Sequence, residues 1–176
     1  NWLLRRLTFL SLFEIFDQLL QRHRFVLGDR PSSADFAIYA QLTQLAKFDP
    51  TPMKLCLDLA PRVHAWTDIV DDLSGQPAAD DGWIEPDGIR EHLGELLSEV
   101  GRVYIPALLA NNAAIDAGRD QMDTTIDGQP WTQPTFPYQA KCLQTLRHRY
   151  FSLDRVERDG VDTVLAGTGC EAFLSS

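Results

Sequence analysis

The chain is poor in cysteine and methionine and has no surplus of positive charge. Its three cysteines, Cys56, Cys142 and Cys170, are widely spaced and form no C-x-x-C. So sparse and odd a set excludes a disulfide scaffold and fits reduced thiols in a cytoplasmic protein. Sixteen Lys and Arg stand against 25 Asp and Glu, for a formal net charge of −9. Phosphate recognition needs clustered cations, so nucleic acid is not an expected partner, and an anionic membrane surface is disfavoured for the same reason. No apolar run reaches the roughly 18 residues that a bilayer crossing needs, and no short apolar stretch ends in a small-residue cleavage signal. The four histidines (His23, His64, His92, His148) share no ligand spacing, and no G-x-S-x-G, H-E-x-x-H or P-loop occurs. No metal site is expected. The chain begins with Asn1 and is at once inside a helix pattern, which reads as a fragment of a longer polypeptide.

What is present is helical periodicity. Phe9, Phe13, Phe16 and Leu20 step by four, three and four within residues 2–22, and Leu3, Leu7 and Leu10 mark a neighbouring face, so this helix is expected to be buried between others. Arg22-His23-Arg24 suits its negative end. After Gly28 and Pro31 a second helix is expected over about 33–47, with Ile38, Leu42 and Leu45 on one stripe. Asp49-Pro50-Thr51-Pro52 is read as its end, followed by a short helix at 53–58 and another from Pro61 to about Leu73. Residues 74–88 read as a linker. Helix resumes near Ile89 and runs to about Gly118, bent or broken at Gly101 and Pro106. The period then changes. Residues 122–132 place Asp127-Gly128 between extended runs, the two-residue hairpin signal. A helix over 137–152, with Ala140, Leu143, Leu146 and Tyr150 on one face, and a short one over 160–166 complete the pattern.

The residues around the second helix carry the most specific signal. Ser32-Ser33-Ala34-Asp35 opens an apolar segment with capping-box spacing, the Ser32 hydroxyl expected to accept from the Asp35 N–H and the carboxylate to reach back to the Ser32 N–H. Pro31 and Phe36 occupy the staple positions. Gly28, Ser32 or Ser33, Ala34 and Asp35 resemble the opening of the central helix in the C-terminal domain of glutathione S-transferases. The aromatic- and leucine-rich helix that follows, the Pro-rich connection, and Ala60-Pro61-Arg62-Val63 with Trp66 extend that resemblance over roughly residues 3–74.

The resemblance implies an all-α fold: a glutathione-transferase C-terminal-like bundle over 1–75, with a helical extension over 76–176 that carries the hairpin and packs on the first part. It implies the hydrophobic, substrate-side domain of a glutathione-dependent transferase or thiol reductase. Tyr39, Gln41 and Gln44, on the central helix near the floor of the family's co-substrate site, are the candidate substrate-binding residues. Glutathione is the implied co-substrate, bound mainly by a thioredoxin-like N-terminal domain that this chain does not contain and that would be its partner. A homodimer and a small apolar electrophile are the other implied partners. No catalytic residue is assigned. The extension looks like an addition found in some bacterial glutathione-transferase-like proteins. The alternative is that the fold serves as a non-catalytic binding or scaffold module.

Other constellations are weaker. Tyr138, Lys141 and Cys142 lie within one and a half helical turns, but adjacent residues on a helix point about 100° apart and buried free cysteines are mostly inert. Gly167 to Ala172 matches G-x-G-x-x-A formally, yet only four residues follow, so a helix C-cap and turn is the reading. Glu91, Glu95 and Glu99, like Asp116, Asp120 and Asp123, read as solvated acidic faces.

Overall fold

A computed structural model describes residues 2–76 and 81–174, with side chains from residue 10 onward. The expected apolar positions Leu3, Leu7 and Phe9 lie outside the described side chains, and the middle of the expected 74–88 linker lies outside the described residues. Two compact units emerge, Trp2–Leu93 and Gly94–Ser176. Residues 81–93 therefore belong with the first helices.

In the first unit, α1 (Trp2–Arg22) packs on α3 (Pro50–Leu59) and α4 (Pro61–Asp71), and α2 (Ser33–Leu42) continues as a π-helix over Thr43–Phe48. Phe13, Phe16, Leu19, Phe25, Val63, Trp66 and Val70 are buried at the centre. The Trp66 ring meets Phe16 edge-on at 4.9 Å, and its Nε1–H donates to the Arg24 carbonyl at 2.9 Å. The α1 core also includes a carboxylate that periodicity does not reveal. Buried Asp17 accepts from the Arg62 N–H at 3.0 Å and from its guanidinium at 2.8 Å, pinning α1 to the first turn of α4.

Two expectations are corrected here. Asp49-Pro50 does not merely end a helix: the Asp49 carboxylate accepts from the Thr51 N–H at 3.0 Å and opens α3 at Pro50, three residues before the expected start. Proline tolerates the first helical turn because its missing N–H is an orphan there anyway. And α2 is not wholly buried. Its buried residues are Asp35 and Leu42, while Phe36 is 50% exposed.

In the second unit, α5 (Ile89–Glu99, which begins before the boundary) passes through a π-helical turn at Val100–Tyr104 into α6 (Ile105–Asp116). The Ile105 N–H bonds the Val100 carbonyl, five residues back. The ladder thus slips by one residue just before Pro106, which has no N–H to offer it. The strands β1 (Gln121–Ile126) and β2 (Gln129–Pro134) pair antiparallel around Asp127-Gly128, with φ of 50° and 70°, as a two-residue turn of this kind requires. Met122 and Ile126 point inward. Then come α7 (Pro137–Ser152), α8 (Arg155–Leu165) and a 3₁₀ turn at Cys170–Leu174. Ile105, Leu108, Leu143, Leu165 and Cys170 form this unit's core. Fully buried Asn111 joins α6 to the start of α7, accepting from the Phe136 N–H at 2.7 Å and donating to the Phe136 carbonyl at 3.0 Å. Leu146, expected on the core face of α7, is 47% exposed.

The last helix starts five residues earlier than its apolar pattern implies. Asp154 accepts from the Glu157 N–H at 2.9 Å, and Glu157 accepts from the Asp154 N–H at 3.1 Å, a capping box outside the apolar run. Asp154→Ala should lower stability by about 0.5–2 kcal/mol. Faster amide exchange confined to the first turn of α8 is the local readout.

Candidate functional site

The site is built on α2. Its start is fixed by Asp35, which is fully buried. Oδ2 accepts from the Ser32 N–H at 2.7 Å and from the Ser32 hydroxyl at 2.6 Å, and Oδ1 accepts from the Val26 N–H at 2.8 Å. Ser32 and Asp35 sit in capping-box geometry, but the Asp35 N–H bonds the Ser32 carbonyl at 3.1 Å. The carboxylate therefore does more than was expected of it. It also anchors the loop that precedes the helix.

With that face turned inward, Phe36, Ala37, Ala40, Gln41 and Gln44 are all exposed. Their spacing puts them on one side of the helix. Gln41 and Gln44 thus share a face, flanked by apolar and small side chains. Tyr39 does not join them. It is half-buried, and its phenol donates to the Asp71 carboxylate on α4. That bond raises the Tyr39 pKa, with desolvation and the Asp71 charge adding to it. The π-helical turn begins beside this face, where the Thr43 hydroxyl bonds the Ala40 carbonyl at 2.9 Å.

At the far end of the π-helix is a cluster that sequence reasoning missed. The Lys47 ammonium lies 2.6 Å from the Asp68 carboxylate and 3.1 Å from His64 Nδ1. Its only sequence signal is the i, i+4 pair His64 and Asp68 on α4. A hollow of about 340 Å³ lies beside the N-terminus of α2, lined by Arg24, Phe25, Arg30, Phe36 and Leu73 among others.

The thiols are not poised for chemistry. Burial pushes the Cys56 thiol up to about 11, and burial also raises Cys170, whose Sγ lies 3.1 Å from the Leu97 carbonyl. Cys142 is half-buried, while its neighbours Tyr138 and Lys141 are exposed. Among the described residues no three His, Cys, Asp or Glu are gathered for a metal ion, and no helix is long and apolar enough to cross a membrane.

No curated protein and no solved structure matches the chain. Residues 5–68 match the family model for the glutathione S-transferase C-terminal domain. The match spans α1 to α3 and most of α4, with the Asp35 anchor at its centre. Over residues 5–68 the chain thus carries a glutathione S-transferase C-terminal domain.

Proposed function

We propose that this chain is the hydrophobic, substrate-side part of a glutathione-dependent transferase or thiol reductase. A thioredoxin-like domain of the same polypeptide would cover the open face of α2 and hold glutathione. The observation that carries the reading is that face. The α2 sequence SADFAIYAQL is apolar nearly all round. A helix of that composition is normally covered on every side, yet one side is open to solvent. A largely apolar wall with a few fixed polar groups is how small-molecule pockets are lined, and Gln41 and Gln44 supply such groups here. Burial favours the neutral thiol at Cys56 and Cys170, and the reading assigns activation of the glutathione thiol to the partner domain.

The test is a conjugation assay with a generic aromatic electrophile. The chain alone should be inactive and the joined protein active. In the joined protein, Gln41→Ala with Gln44→Ala should raise KM for the electrophile several-fold while leaving glutathione affinity unchanged. A folded, glutathione-binding parent without conjugating or reductase activity would instead support the non-catalytic binding module.

A further inference from the structure

Residues 81–92 lie against the loop 23–30 through four separate features. The Asp29 N–H donates to the Gly82 carbonyl at 2.7 Å, and the Ile84 N–H donates to the Leu27 carbonyl at 3.0 Å. Gly28 permits this approach. Its φ is +131°, and a Cβ there would collide with the Gly82 carbonyl and stand 3.0 Å from the Ile84 nitrogen. The Arg30 guanidinium lies over the Trp83 ring, 4.5 Å from its centroid. Finally, the His92 ring meets His23 edge-on, with centroids 4.8 Å apart.

That last contact is the unusual one. His92 is 9% exposed, and neither of its ring nitrogens has a partner in hydrogen-bonding geometry. Buried polar atoms without partners are rare and call for an explanation. The charged side chains of the packed segments are mostly basic: Arg22 ends α1, His23, Arg24, Asp29 and Arg30 lie in the loop, and Arg90 and Glu91 are on His92's own helix. Asp29 Oδ2 stands 3.7 Å from His23 Nδ1. A proton on His92 therefore puts a cation against the His23 ring at a buried position.

We infer that residues 81–92 form a proton-operated strap: protonation of His92, packed against the His23 ring, releases it from the loop 23–30. Burial is the main cause of a lowered His92 pKa; His23 and Arg22 add to it, and the polar backbone of Val26 partly opposes it. The docked strap thus binds protons more weakly than the released one. Docking is strongest above the ordinary imidazole value of 6.5 and weakens as pH falls below it, until His92's own lowered pKa is passed.

Amide exchange on the full chain, corrected for intrinsic rates, tests this directly, because the Asp29 and Ile84 amides bridge strap and loop. Between pH 7.5 and 5.5 the opening equilibrium at these two amides should rise by up to about tenfold per pH unit below 6.5 for each proton taken up. Amides in the middle of α4 should not change. His92→Phe should abolish the rise, and His23→Phe, which leaves His92 buried but removes its ring neighbour, should reduce it and serves if the first variant fails to fold. Unchanged protection at Asp29 and Ile84 across this range overturns the inference, as does an equal rise in a folded variant. Protection at pH 7.5 that depends on micromolar zinc and is lost in either variant would also overturn it, in favour of a metal-held pair.

Discussion

Replacing Asp35 by alanine should cost the first helical unit about 3–5 kcal/mol. The size follows from what the carboxylate does. It is fully buried and accepts from the Val26 N–H, the Ser32 N–H and the Ser32 hydroxyl. Truncation strands all three donors where water does not readily replace the acceptor, and each stranded group costs about 1–3 kcal/mol. Asp35→Asn keeps the volume and one acceptor but turns an amide N–H₂ toward donors, so about half the loss is expected. Ser32→Ala removes one donor and leaves the other two bonds intact, which predicts about 0.5–2 kcal/mol. Urea midpoints at unchanged m-value report these differences. The order Asp35→Ala, Asp35→Asn, Ser32→Ala is the decisive feature. Equal losses below 1 kcal/mol would mean that the carboxylate is an ordinary cap. A second effect is also expected: freeing the Val26 N–H loosens the loop that carries Gly28, so protection of the Ile84 amide should fall together with that of α2.

Short-range chemistry was legible in the sequence because it is written within a few residues. Ser32-x-x-Asp35 gives the start of α2, and Asp127-Gly128 gives the hairpin, since both depend only on local donors and φ. Asp49-Pro50 shows how the same local signal reads two ways. Either residue can stop one helix or start the next, and here Asp49 caps α3 directly behind the π-helical turn. The π-helical turns themselves were not legible. The slip to i−5 at Val100–Tyr104 accommodates Pro106, but nothing in the residues says whether a chain bends, breaks or slips there. Periodicity also overstated the burial of α2. An apolar pattern tells which surfaces favour cover, and the cover itself comes from residues far away or from another domain. The candidate site shows the same limit. Gln41 and Gln44 were recognisable as polar interruptions of an apolar helix and do share its open face. Tyr39, which the resemblance places with them, is held by Asp71, 32 residues later. Asp17 with Arg62 and Asn111 with Phe136 are likewise long-range pairs that no local spacing encodes.

Gly101→Ala should cost the second unit about 3 kcal/mol, although alanine is normally the better helix former. The sequence marks Gly101 as a helix weakness, and on propensity alone the change to alanine would gain up to about 1 kcal/mol. The structure reverses the sign. A Cβ at this position would stand 2.8 Å from the Gly169 carbonyl carbon and 2.9 Å from the Cys170 nitrogen, and closer still to the Thr168 carbonyl oxygen. These are backbone atoms of a turn that is itself tied down. The Thr168 hydroxyl bonds the Leu165 carbonyl at 2.7 Å, the Cys170 N–H bonds that hydroxyl at 3.2 Å, and the Gly167 N–H bonds Glu171 at 3.1 Å. The turn cannot retreat without breaking them or pulling Cys170 out of the core it shares with Leu143 and Leu165. Overpacking against so fixed a wall belongs at the upper end of the usual 1–3 kcal/mol range. Gly160→Ala in α8 is the matched control. Nothing lies within 4 Å of its added Cβ, so it should stabilise by about 0.5–1 kcal/mol. Thermal midpoints of the two variants should therefore move in opposite directions from the parent. A Gly101→Ala protein as stable as the parent would mean that the 167–171 turn yields freely, and that the π-helical slip before Pro106, rather than the close backbone approach, is what requires glycine at this position.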